Sequence, residues 1–163
     1  MQKSIEKWID KFVSVHNEKL GTVPCPYARN ALINYVKTDD IRKSLEDYST
    51  DFNDDYQVVC LYTPTKNYTP KELSDIVTEF NHNAMVMDIV ALEDHPHDEE
   101  IINGAKMNFG KCILVLVQRL SAINEASNIL KDRGYYANWS VENLNDVVSW
   151  RFIGWVTPMR ELI

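Results

Sequence analysis

The stretch "YQVVCLYT", residues 56–63, decides how this chain folds. Its β-branched and aromatic residues, followed by Pro64, predict a strand. Successive side chains of a strand point to opposite faces. Here Val58 and Cys60 alternate with Val59 and Leu61, so both faces are apolar. "KCILVLVQ" (111–118) repeats the pattern, with Leu114 and Leu116 set against Ile113, Val115 and Val117. A sheet with one wet side shows polar residues on that side. This sheet has two faces to bury, and something must cover each.

Outward from that strand, "TPKE" (69–72) is a helix start, with Thr69 as cap, Pro70 in the first helical position and Glu72 completing a capping box. Leu73, Ile76, Val77 and Phe80 follow at helical spacing. "AMVMDIVAL" (84–92) predicts a second strand and residues 111–118 a third. Ser121 opens another helix, with Ile123, Ala126, Ile129 and Leu130 inward and Gly134 as its stop. "YYANWS" (135–140) and "SWRFIGWV" (149–156) are strand-like, with room for a short helix between them.

The order strand–helix–strand–strand–helix–strand predicts an α+β fold. Its pattern is a ferredoxin-like split βαβ antiparallel sheet with both helices on one face. Before it, residues 4–20 form an amphipathic pattern (Ile5, Trp8, Ile9, Phe12, His16, Leu20) that Gly21 ends, and a second helix is expected from Pro26 to about Lys37. A short helical piece is expected over 40–48. The expectation is one domain over 1–163, in which a helical extension (1–50) covers the second face of a sheet core (56–163). Trp150, Phe152 and Trp155 are the other candidates for that cover.

Composition narrows the function. The chain has 163 residues, 45% of them hydrophobic, and a net charge of −7. Seven acids against two bases in residues 39–55 describe a solvated surface. This charge, with no Lys/Arg cluster, argues against nucleic acid as a partner. The longest apolar run, "CILVLV", is far too short to span a membrane, and "MQKSIEKWID" has no signal-peptide core. The three cysteines, Cys25, Cys60 and Cys112, make neither a disulfide framework nor a CxxC pair. These features predict a cytoplasmic protein. The abundance of Asn, Asp, Lys, Ile and Tyr fits an AT-rich genome such as that of a virus, in which case the location is the host cytoplasm.

Two segments carry candidate chemistry. In "GTVPCPYARNAL" (21–32), Pro26 at the first helical position makes Cys25 the N-cap, beside free N–H groups and the positive end of the helix dipole. Such thiols have lowered pKa values, and Arg29 adds positive charge. The alternative is a buried small hydrophobe at a helix corner, as Cys60 and Cys112 are in their strands. "CPY" also opens a glutaredoxin site, but here it follows a helix, and Ala28 stands where the second cysteine belongs. In "EDHPHDEE" (93–100), His95, His97 and Asp98 have the donor chemistry for a divalent metal cofactor. Equally, seven polar residues around Pro96 describe a solvated loop. His82 reads as a helix-end residue.

A helix followed by "CPYAR", with "HP" after a later hydrophobic strand, resembles an uncharacterised bacterial family whose members carry CPFA[KR] near the N-terminus and a phenylalanine–HP segment in mid-chain. The resemblance rests on Cys25, Pro26, Ala28, Arg29, His95 and Pro96 and implies that Cys25 and His95 share one site. Leu92, Glu93 and Asp94 before His95 depart from the family pattern.

Three functions follow as expectations. In the first, Cys25 is a nucleophile with His95 as base, and Tyr27 and Arg29 hold an unidentified small-molecule substrate. A second uses His95, His97 and Asp98 with a metal-activated water or oxygen. The third is a non-catalytic binding or assembly domain for another protein or a second copy of the chain, a homodimer, through Trp150, Phe152 and Trp155.

Overall fold

The structure is a computed structural model that describes residues 1–153. Helix α1 (Gln2–Trp8) runs on into a π turn (Ile9–Val13), and a 3₁₀ turn (Ala28–Asn30) leads into strand β1 (Ile33–Lys37). Helix α2 (Ile41–Glu46) connects β1 to β2 (Val58–Thr63), and α3 (Pro70–Ala84) connects β2 to β3 (Ile89–Asp94). A small hairpin, β4 (Ile101–Ile102) and β5 (Ala105–Lys106), precedes β6 (Ile113–Arg119). Helices α4 (Leu120–Asp132), α5 (Val141–Leu144) and α6 (Trp150–Ile153) follow, with a π turn (Asn145–Ser149) between the last two.

The chain is an α+β fold. Its main sheet has the order β1-β2-β6-β3. β6 lies antiparallel between β2 and β3, with Leu61 opposite Val115 and Ala91 opposite Val117. The helix start at Thr69 forms as expected, with a capping box between Thr69 and Glu72.

Both sheet faces are buried, by different elements. Val59, Leu61, Ala91, Ile113, Val115 and Val117 meet α3 through Leu73 and Val77, and α2 through Ile41 and Leu45. On the other face, Cys60, Leu114 and Leu116 meet fully buried Ile5, with Trp8 and Ile9, and Trp8 lies 5.4 Å from the Phe109 ring. The N-terminal helix therefore covers the second face. Nearer β3 that face is closed by Val90 and Leu92 against Leu120, Ile123 and Trp150.

Several expectations are corrected. Residues 26–37 are not a helix: only the 3₁₀ turn and β1 lie there. Tyr35 and Val36 favour an extended backbone, and the open edge of β2 offers β1 a full parallel ladder. The helix expected over 4–20 stops at Val13. The Asn17 side chain takes the N–H groups of Lys19 and Leu20, a local bond that competes with helix; His16 is exposed.

"YYANWS" is a turn rather than a strand. The sheet place expected for it belongs to β1, and Tyr135, Tyr136 and Trp139 pack on one another instead. Residues 149–153 are helical, with Arg151 turned inward onto Asn124 and Ser127. Phe152 is half-buried, and Trp155 lies outside the described residues. The two long helices do not share a face, because the odd residues of β3 meet α3 and the even ones meet α4.

Truncating Ile5 to Ala removes the side chain that seals the second face. Unfolding in urea should show a loss of roughly 2–5 kcal/mol, the usual cost of a buried aliphatic truncation. A loss under about 1 kcal/mol would mean that α1 does not close this face.

Candidate functional site

Strand β3 is an edge strand, and it ends in a loop that is tightly held. His95, 3% exposed, accepts the His97 N–H at Nδ1 (3.0 Å) and points Nε2 at the Tyr68 carbonyl (2.8 Å). A carbonyl only accepts, so Nε2 carries the proton and the ring is the neutral Nε2–H tautomer. Both nitrogens are occupied. Asn108 adds a second clamp: its amide donates to Asp94 Oδ1 and the Asp98 carbonyl, both at 2.9 Å, and its oxygen accepts the Glu100 N–H at 2.7 Å. Asp94 also receives the Phe109 N–H.

The expected metal set does not converge. His97 stacks at a tilt on His95, 5.4 Å between ring centres, while His97 and Asp98 are exposed. Among the described residues no three His, Cys, Asp or Glu side chains gather as metal ligands. His95 ties the loop to Tyr68 and His97 through both ring nitrogens.

Cys25 has other surroundings. Its N–H donates to the Val13 carbonyl, and the Tyr135 hydroxyl donates to the carbonyls of Val23 and Pro24 just before it. The sulfur faces the Tyr27 and Ala28 amides, as a cap would, but no helix follows. Burial pushes the thiol up, and those amides pull it back only in part. Arg29 donates to the Ser14 carbonyl, and Tyr27 is exposed. No hydrogen bond among the described residues joins Cys25 to His95. Cys60 is buried in β2 and Cys112 just before β6, with their thiols pushed up by burial to about 12 and about 11.

A groove of about 930 Å³ runs along the β3 edge, walled by α3, the 95–101 loop and the α5 region. β3 contributes Glu93 and Asp94, the loop Asp98, Glu99 and Glu100, and the α5 region Glu142 and Asp146. Of those seven carboxylates only Glu99 has a salt-bridge partner among the described residues, Lys106 at 2.7 Å. Its apolar surface comes from Val77, Met85, Leu92, Met107, Val147 and Trp150.

Charge inside the groove is held against resistance. Glu93 and Glu100 keep accessible surface, but they lie in a concavity whose walls displace surrounding water. Burial raises the carboxyls of Glu93, Asp94 and Glu100. For Asp94 the Phe109 and Asn108 bonds oppose it. For Glu100 nothing does: Asp94, Asp146 and Asp98 raise it further. The β3 backbone offers the groove little. Asn81, 7% exposed, donates to the Ala91 carbonyl (2.9 Å) and accepts its N–H (2.8 Å), so a side chain fills the rung an added strand would take.

Sequence reasoning singled out the 93–100 segment for its histidines, whereas the carboxylates around them line the groove. It missed Asn81, Asn108, Glu142 and Asp146. The Asn103-Gly104 pair, with φ of 51° and 82°, was the available signal that a hairpin folds this segment back. Compared with known proteins, the chain matches no family model, no curated protein and no solved structure.

Because Glu100 is raised in the folded state, the folded chain binds its proton more tightly than the unfolded chain does. Stability from this group is therefore lost as pH rises from about 4.3, the ordinary glutamate value, through the raised one. Glu100→Gln should make the protein more resistant to urea at pH 7, and the gain should shrink as pH falls below about 4. A destabilised variant at pH 7 would contradict the like-charge strain described for this carboxyl.

Proposed function

We propose that this chain is a non-catalytic binding domain that takes a basic segment of a partner protein into the β3-edge groove. The observation that carries the proposal is the wall of seven carboxylates, of which only Glu99 is paired with a lysine among the described residues. Ligand sites of roughly 300–1,000 Å³ commonly combine apolar surface with a few oriented polar groups. Lysine and arginine suit such a wall, since their stems pack on apolar surface while the charged head reaches a carboxylate. Trp150 offers a face for a cation, and Met85 and Met107 adapt their shape to an irregular ligand.

Recognition through side chains fits better than strand addition, because Asn81 already occupies the Ala91 rung. The scaffold supports this assignment. We read the β2–β6–β3 core as a ferredoxin-like variant whose outer place is filled by β1, an arrangement that serves many binding roles. A thiol mechanism at Cys25 has less support, since burial opposes the thiolate such chemistry needs.

Titration with an octalysine peptide at low salt tests the proposal. Wild-type protein should bind it, with affinity falling as salt screens the charges. Glu100→Lys/Asp146→Lys should weaken binding at least about tenfold, equivalent to roughly 1.4 kcal/mol. Glu46→Lys/Asp47→Lys, on the surface of α2 and its C-cap, changes net charge equally and should leave most of the affinity. Equal losses in the two variants would reduce the binding to bulk charge and overturn the assignment.

A further inference from the structure

A second cavity, of about 160 Å³, lies between α1 with its π turn and the segment entering β1. It shares no residue with the groove. Glu6 and Asp10 line it from α1 and the π turn, Ser14 from the end of that turn, Arg29 from the 3₁₀ turn and Tyr35 from β1.

Opposite charges line this cavity without neutralising each other. Arg29 makes no salt bridge among the described residues; its one hydrogen bond there goes to the Ser14 carbonyl, at 3.2 Å. That leaves most of its five N–H donors uncommitted. Glu6 receives only the Gln2 amide, and Asp10 pairs with exposed Lys11. Ser14 is 9% exposed, and its buried hydroxyl has no hydrogen-bond partner among the described residues. A buried hydroxyl in that condition has given up its water without a replacement, at a cost to the free protein. It follows a π turn, a local widening of the helix that is frequent at functional sites.

We propose that this cavity binds a small zwitterion of the α-amino acid class, with its carboxylate on Arg29 and its ammonium on Glu6 and Asp10. A guanidinium takes a carboxylate through paired N–H bonds, and charge-assisted bonds of this kind are the stronger ones. The Ser14 hydroxyl gains a partner when a polar ligand fills the cavity. Its size restricts the ligand to a small side chain. The site is independent of the groove, so either assignment stands if the other fails.

The test is an amide NMR titration of the full chain with L-alanine, and separately with acetate and with methylamine, which each carry half of the charge pattern. L-alanine should bind tighter than about 1 mM and shift amides of residues 6–14 and 28–35, with acetate and methylamine at least about tenfold weaker. Arg29→Gln and Glu6→Gln, both at exposed positions, should each lower alanine affinity at least about tenfold while the rest of the spectrum stays folded. Ser14→Ala supplies the second readout. It should leave the free protein as stable as wild type or more so, since it removes an unpartnered hydroxyl, and should weaken alanine binding. No shifts with alanine, acetate shifts as strong as those of alanine, or unchanged binding in the Arg29 variant would each overturn the proposal.

Discussion

The constraint on which the rest of this structure depends is a sheet that is apolar on both sides. Leu61 and Val115 on one face, and Cys60 and Leu114 on the other, are all at most 1% exposed. Burial of each such side chain stabilises the fold by roughly 1.5–3 kcal/mol, so neither face can be left wet. The chain meets this demand asymmetrically. α3 and α2 take one face, while the other is divided between α1 and the α4–α6 pair. That division leaves β3 at the edge, with helices on both sides and a channel between them.

An open edge invites pairing with another chain. Asn81 answers at Ala91 by presenting an amide where a neighbouring backbone would be, and the 95–101 loop closes over the end of the strand. The loop needs strong ties because its three carboxylates, Asp98, Glu99 and Glu100, follow closely on Asp94 at the end of β3. His95 and Asn108 supply them, each spending its polar atoms on backbone or on Asp94. A histidine so committed holds the loop in place at the end of the groove.

The sequence revealed the two-faced strands, the capped start of α3 and the need for an N-terminal cover, because each of these is written in local periodicity or capping chemistry. Residues 33–37 were misjudged for a different reason. "INYVK" is compatible with a helix face as well as a strand, and the open edge of β2, a long-range feature, decides between them. "YYANWS" failed likewise: its aromatics satisfy one another in a turn once β1 holds the outer place in the sheet. The candidate site was half legible. The acids of 93–100 stand out in the chain, but Glu142 and Asp146 join them only through tertiary packing that no local pattern records. Cys25 shows the same limit. The Tyr27 and Ala28 amides do face the sulfur, yet the missing helix and the burial that raises the thiol are products of the fold.

The groove has a further physical consequence. Folding brings Glu100 toward Asp94, Asp98 and Asp146 with no bond that offsets their repulsion, which works against the stability of the isolated chain. Neutral residues at those positions would fold at less cost, and a stable domain has only a narrow margin to give away. Strain of this sign is relieved by positive charge arriving from outside, and the relief is available only to a ligand that enters the concavity, where the same displaced water that raises the carboxyls strengthens their attraction to a cation. Repulsion in the free state and affinity in the bound state are then two expressions of one arrangement. A basic ligand that reached only the exposed rim, at Glu99, would find a carboxylate already paired with Lys106. The unpaired carboxylates lining the groove, rather than the total charge, are what such a site can use to discriminate.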